Sequence, residues 1–282
     1  MNLPWLRERM SMSLLKKVVA MMVGRRRAQD LRVLLGSSAI HTQRPTICRP
    51  DGGRVAVLAP HMDDEVLGCG GTIARHVQAG ADVSVIFLTD GRYGSNAHVA
   101  LTEPERGRRQ RELVEIRKKE ARQAGDILGV KDIHFLDAED GRLRGDSTAP
   151  ARLRSVLDTV RPQVLYLPFL LENHVDHRAA TGLLMAATSG ADQDFECRCY
   201  EVWTPLFPNI VVEIDGVLEL KERALGCYRS QLAYMDYIHT GIALNAYRSS
   251  AIGCKTARFV EAFFALSLAD YRRLFRATRR FL

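Results

Sequence analysis

The sequence predicts a doubly wound α/β domain, a mostly parallel sheet with helices on both faces, from about residue 53 onward. Two observations carry that prediction. Short, near-continuous apolar runs alternate with longer stretches of helical periodicity, and strands covered on both faces need such unbroken runs. The two densest polar clusters of the chain follow directly on two of those runs, which is where open α/β sheets bind their ligands.

Taken in order, residues 55–59 form the first apolar run and about 72–79 a helix. Residues 83–89 form the second strand, about 105–128 a long charged helix, and 133–136 the third strand. A helix over about 150–160 leads to a fourth strand at 164–168. Two further strands fall around 197–203 and 210–214, and amphipathic helices close the chain. Trp203, Tyr228 and the apolar positions of those helices read as core. Ahead of the domain, residues 1–36 read as one or two basic helices, with Leu14, Leu15, Val18, Val19 and Met22 near helical spacing. Residues 37–53, with two prolines and a cluster of breakers, read as a connector. The division is therefore 1–52, a basic extension and connector, and 53–282, the domain.

The composition, with 46% hydrophobic and 26% charged residues over 282 positions, excludes a disordered or collagen-like chain. The formal charge of +7 is unevenly placed. Residues 1–32 carry eight basic side chains against Glu8 and Asp30, and residues 271–282 add five arginines with no acid. The body between them is net acidic. No apolar run is long enough for a membrane helix, and the six cysteines show neither paired CxxC spacing nor the density of a disulfide framework. The expected setting is intracellular, with reduced thiols. Cys197 and Cys199, two apart on a strand, read as small buried hydrophobes.

With strand order 3-2-1-4, the ligand crevice lies between strands one and four. Strand one is followed by Pro60-His61-Met62-Asp63-Asp64-Glu65, strand four by Glu172-Asn173-His174-Val175-Asp176-His177. A catalytic zinc site typically takes three ligands from His, Asp or Glu and leaves one position for water. One turn aims His61 and Asp64 at a common point, and His177 supplies the third ligand from the facing loop. Asp63, next to a ligand but pointing elsewhere, is free to take a proton from water whose pKa a metal lowers from about 15.7 to near 7. His174, its tautomer fixed by Asp176, is placed to stabilise an oxyanion or protonate a leaving amine. The plainer reading of Asp63, Asp64 and Glu65 alone is complementation of a helix dipole. His76, His98, His134 and His239 read as structural. Gly68-Cys69-Gly70-Gly71 lies eight residues beyond the strand, too far for a dinucleotide fingerprint, and reads as close helix–sheet packing.

These residues resemble the PIG-L/LmbE deacetylases. The stretch from Pro60 to Glu65 with Gly68-Cys69-Gly70-Gly71-Thr72-Ile73 is similar to that family's first motif, and His174-Val175-Asp176-His177 to its second. Thr89-Asp90-Gly91, Arg117-x-x-Glu120 and the stretch from Lys221 to Tyr228-Arg229-Ser230-Gln231 also fit, so the likeness covers roughly residues 54–235. Met62 and Val175 stand where the family usually has proline. The resemblance implies a Rossmann-like fold without a nucleotide. It also implies a metal that is usually zinc, and hydrolysis of an N-acetyl group from an amino sugar or its conjugate. It implies His61, Asp64 and His177 as metal ligands, Asp63 as general base, His174 with Asp176 behind it as acid or oxyanion partner, and Arg117 as a substrate contact. A surface pair of Arg117 with Glu120 is the plainer alternative for that arginine.

The expectation is thus a zinc-dependent deacetylase of N-acetylated sugars, lipid-linked ones included. Ferrous iron suits the same ligand set. The basic residues 1–32 are expected to touch an anionic membrane surface from the cytoplasmic side. The alternative is a non-catalytic metal-site module binding an acidic polymer or membrane-associated glycan; no nucleic-acid partner is expected.

Overall fold

The computed structural model describes residues 45–95 and 100–278. The basic segment 1–32, residues 37–44 of the expected connector, His98 and the last two arginines lie outside the described residues. The elements are β1 (Thr46–Ile47), β2 (Gly53–Ala59), α1 (Asp64–Gln78), β3 (Ala81–Thr89), α2 (Glu105–Leu128), β4 (Asp132–Ala138), α3 (Ala149–Val160), β5 (Val164–Pro168), α4 (Val175–Ala187), β6 (Glu196–Tyr200), β7 (Ile210–Glu213), α5 (Leu218–Leu225), α6 (Arg229–Leu232), α7 (Tyr237–Ala251), β8 (Val260–Ser267) and α8 (Leu268–Thr278).

The strands form one sheet in the order β1-β7-β8-β6-β5-β2-β3-β4. Counting from β2, its central part is the expected 3-2-1-4, and the pairs from β4 to β6 are all parallel. Alternating residues explain the unbroken apolar runs. Ala56, Leu58, Ile86, Leu88, Leu165 and Leu167 face a core closed by α3, α4 and α8. Val55, Val57, Val83, Val85, Phe87 and Tyr166 face the opposite core, closed by α1, α2 and α5. With both faces covered, neither parity can be polar. Cys197 and Cys199 are fully buried free thiols, as expected.

Three features depart from the sequence reading. Strand β8, read as part of the helical ending, inserts antiparallel between β6 and β7. Strand β6 ends at Tyr200, so 201–203 is loop. Thr46–Ile47, within the expected connector, pair in parallel with β7 at the sheet edge.

A fourth departure concerns α1, which begins at Asp64, one turn after the strand, rather than near residue 72. Its glycines hid this, because glycine disfavours helix. The backbone breaks at Cys69 (φ −150°, ψ 24°), and a buried ion pair repairs the break. Glu261 of β8 accepts hydrogen bonds from the Gly71 and Thr72 N–H groups at 2.9 and 2.7 Å. Lys221 of α5 donates to Glu261 at 2.6 Å and to the Leu67 carbonyl at 3.0 Å. The orphan donors and acceptor of a mid-helix break thereby all find partners. Close packing accounts for the glycines themselves: a Cβ on Gly68 would lie 2.2 Å from the Tyr200 ring, and one on Gly71 2.6 Å from Ile214.

Candidate metal and catalytic site

The loops after β2 and β5 meet at the carboxyl edge of the sheet, between neighbouring central strands, as topology requires of a switch point. The β2 loop is short and strained. Asp63 sits at φ 145° and ψ −27°, a conformation rare for a residue with a side chain, and immediately precedes α1. Its N–H donates to Glu65 at 3.2 Å, and the Tyr228 hydroxyl donates to the same carboxyl group. Arg117 reaches in from α2, donating to the Gly91 carbonyl at 3.1 Å and the Met62 carbonyl at 2.8 Å, with Asp63 Oδ1 3.5 Å away.

His61, Asp64 and His177 converge. His61 Nδ1 lies 3.2 Å and His177 Nε2 3.1 Å from the same oxygen, Asp64 Oδ2. That oxygen also accepts the His61 backbone N–H at 2.8 Å. His177 is fully buried, yet neither of its ring nitrogens has a hydrogen-bonding partner among the described residues. Candidate ligand atoms of His61, His174 and His177, and those of His61, Asp140 and Asp176, lie within 4.8 Å of one another, with Asp64 Oδ2 between His61 and His177, so this His/Asp cluster could hold a divalent cation. The other nitrogen of His61 is held by carboxylates: Nε2 lies 3.1 Å from Asp140 Oδ1 and 3.4 Å from Asp176 Oδ2.

Electrostatics follow from this crowding. Burial alone would raise the Asp64 carboxyl, but the His177 and His61 imidazoles hold it well below the usual range. Burial works against charge on His61, yet Asp140, Asp176 and Asp64 together hold its pKa well above the ordinary value. Asp63 is pushed up to about 7 by burial, the Arg117 guanidinium working in the other direction. That places a carboxylate base close to neutral pH. His174 is lowered by burial and by its neighbours His61 and His177.

Two expected roles need correction. The Asp176 carboxylate does not orient the His174 ring: it accepts from the Gly141 and Leu143 N–H groups at 2.6 and 3.2 Å, fixing the loop that carries Asp140. Asp176 meets His174 through its backbone N–H, 3.3 Å from Nδ1, as the first turn of a helix meets its cap. His174 therefore presents a neutral ring with its proton on Nε2. Arg117, expected to touch substrate, is 2% exposed and donates to two backbone carbonyls beside Asp63, bracing the loop, while its Nε has no partner among the described residues. Nor does it pair with Glu120, which accepts from the Ser230 N–H and hydroxyl.

Sequence reasoning missed Asp140 and Glu172. Asp140 follows β4, the edge strand beyond β3, and lies at the same carboxyl side of the sheet as the other two clusters. Glu172 is fully buried, with Oε2 3.8 Å from His177 Nδ1, behind the cluster. Its carboxylate accepts from the N–H groups of Val202, Trp203 and Thr204 at 2.6, 3.0 and 3.2 Å. Trp203 itself, expected in the core, is 42% exposed at the rim, whereas Tyr228 is buried as expected.

Fold and cluster define the class: an α/β protein whose switch-point crevice carries a His/Asp set suited to a divalent cation. The chain belongs to the PIG-L family. It matches the model of that family, described as GlcNAc-PI de-N-acetylase, over residues 56–188. It is 31% identical over 197 residues to a diacetylchitobiose deacetylase of Thermococcus kodakarensis, which spans 64% of this chain and 71% of the relative. It is also 30% identical over 212 residues to a 4-oxalmesaconate hydratase of Pseudomonas putida, covering 67% and 77% of the two chains. Among solved structures, the N,N'-diacetylchitobiose deacetylase of Pyrococcus horikoshii superposes with a TM-score of 0.64 at 26% identity, over 79% of this chain and 85% of that one.

Proposed function

We propose that this protein is a metal-dependent hydrolase that removes the acetyl group from an N-acetylated amino sugar or glycoconjugate. The observation that carries the reading is the convergence of His61 Nδ1 and His177 Nε2 on Asp64 Oδ2, with Asp63 adjacent. Its deacetylase relatives support the substrate class. His61, Asp64 and His177 would hold the cation, zinc or ferrous iron, which when bound acidifies water and polarises an acyl oxygen.

The chain's own groups do the rest. Asp63 accepts a proton from the attacking water at its carboxylate, and the strained backbone that aims it is held by Arg117 and Glu65. His174 donates from Nε2 to the acyl oxygen as negative charge develops there. The proton on Asp63 then passes to the departing amine, giving acetate and a free amino sugar. Asp140 and Asp176 keep the His61 ring oriented, and Glu172 backs His177.

Acetate release from N-acetylglucosamine conjugates, with metal analysis of the purified protein, tests this. Asp63→Asn is expected to keep its metal and lose about 10²–10⁴-fold in kcat. Acetate release by Asp63→Asn at the wild-type rate would falsify the mechanism. Because one relative is a hydratase, hydration of an unsaturated oxo-acid without any acetate release would overturn the substrate class. The basic residues 1–32 support a further element, contact with anionic lipid beside lipid-linked substrates, at about 1 kcal/mol per basic group. Flotation with anionic vesicles is expected to weaken when Arg25, Arg26 and Arg27 become glutamine, and equal flotation removes this element.

A further inference from the structure

Resting on the deacetylase reading, we propose that Trp203, backed by Tyr237, is the wall on which the apolar face of a substrate pyranose ring stacks. It thereby determines which N-acetylated sugars are accepted. The indole is exposed, but its backbone is not loose. Three consecutive N–H groups, from Val202 to Thr204, end on the buried Glu172 carboxylate. The same carboxylate lies 3.8 Å from His177 Nδ1. One buried side chain therefore sets the position of the rim tryptophan relative to a proposed metal ligand.

The Tyr237 ring meets Trp203 edge to face, with centroids 5.9 Å apart and planes at 65°. Tyr237 also feels the centre of the site: burial, then the charges of Asp63 and Asp64, push its hydroxyl up to about 12. Leu171 and Val175, each 52% exposed, flank the His174 loop.

A ring held on a backbone tethered beside the cluster, with one face in water, offers a fixed apolar surface to a ligand. A pyranose suits it, because its axial C–H bonds make an apolar face while its hydroxyls stay in water. A sugar stacked there carries its N-acetyl substituent toward Asp63 and His174. The contact is the same in ground and transition states, so it is expressed in KM and not in kcat.

The chain has two tryptophans, Trp5 and Trp203. In full-length Trp5→Phe protein, titration with an N-acetylglucosamine oligosaccharide is expected to give a saturable change in Trp203 fluorescence. Trp203→Ala is expected to raise KM for acetate release about 3- to 12-fold, with kcat within about twofold and metal content unchanged. Trp203→Phe restores most of the loss, because it restores a ring. Acetate release with an unaltered KM in Trp203→Ala and no fluorescence response overturns the wall and leaves the deacetylase reading intact. A kcat loss with falling metal content also overturns it, since the residue would then be structural. Saturable fluorescence with no acetate released from any N-acetylated sugar keeps the wall and overturns the deacetylase reading.

Discussion

Two clusters of buried charge lie along helix α1, one at its first turn and one at its break at Cys69, and they are built on opposite principles. At the Cys69 break, Lys221 and Glu261 are each 0% exposed and fully engaged: the ammonium with a carboxylate and a carbonyl, the carboxylate with the ammonium and two N–H groups. At the Asp64 end, imidazoles and carboxylates crowd together, pKa values are driven apart, and the His177 ring nitrogens, 3.1 Å from Asp64 and 3.8 Å from Glu172, complete no hydrogen bond of good geometry among the described residues. The first cluster pairs both of its charges within the fold. The second leaves a buried imidazole without such a partner. Buried charge therefore reads as structural or functional according to whether its partners all lie within the fold.

The sharpest way to break the contrast is at the satisfied end. Lys221→Met leaves Glu261 as an unpaired buried carboxylate and strips the Leu67 carbonyl, and it should cost about 3–5 kcal/mol in denaturant unfolding. Replacing a buried ion pair by two apolar residues is often neutral. Here it should not be, because the double variant Lys221→Met/Glu261→Leu orphans two backbone donors and one acceptor at the helix break. A double variant as stable as the wild type would mean that the break is held by packing alone.

At the unsatisfied end the effect should appear in the metal and not in the fold. Glu172→Gln keeps the size of the side chain but removes the charge behind His177 and weakens the seat of residues 202–204. Metal affinity is expected to fall about 10- to 100-fold, as for other groups that orient a ligand. Unfolding of the metal-free protein should change much less than in Lys221→Met. Competition with a chelator and metal-free melting curves separate the two. Unchanged affinity would mean that Glu172 serves the loop only.

The same contrast explains what the sequence could reveal. The parallel strands were legible because Val55 to Ala59 and Val164 to Pro168 are apolar on both faces, and the crevice followed, given a 3-2-1-4 order, because each leads straight into a polar cluster. His61, Asp64, His177 and Asp63 were legible because one turn and one strand end bring them together. What stayed hidden depends on distant partners. The break of α1 at Cys69 is held by Lys221 and Glu261, about 150 and 190 positions away. Burial of Arg117 is fixed by carbonyls of two other loops. The destination of the Asp176 carboxylate is set by Gly141 and Leu143, and spacing alone pointed it at His174. Trp203 looked like core because a buried and a rim tryptophan are identical in sequence; only the Glu172 tether tells them apart.

The smallest expected effect tests a third buried polar group, His76, which belongs to the satisfied kind. Arg198 donates to the Tyr166 hydroxyl at 3.0 Å, that hydroxyl donates to His76 Nε2 at 3.0 Å, and Nδ1–H donates to the Asp51 carbonyl at 3.0 Å. Every proton in this chain has one place to go, so a second proton on the ring would face a donor. Burial, with the charge of Arg198, accordingly lowers the His76 pKa. The folded protein therefore holds its proton less tightly than the unfolded chain, whose histidine titrates near 6.5. Stability from this group is present above that value and is lost as pH falls through the folded pKa. Melting temperature should be higher in the wild type than in His76→Asn at pH 7.5, and the gap should narrow toward pH 5.5. A gap that stays constant across that range would show the ring to be held by packing and not by its protonation state.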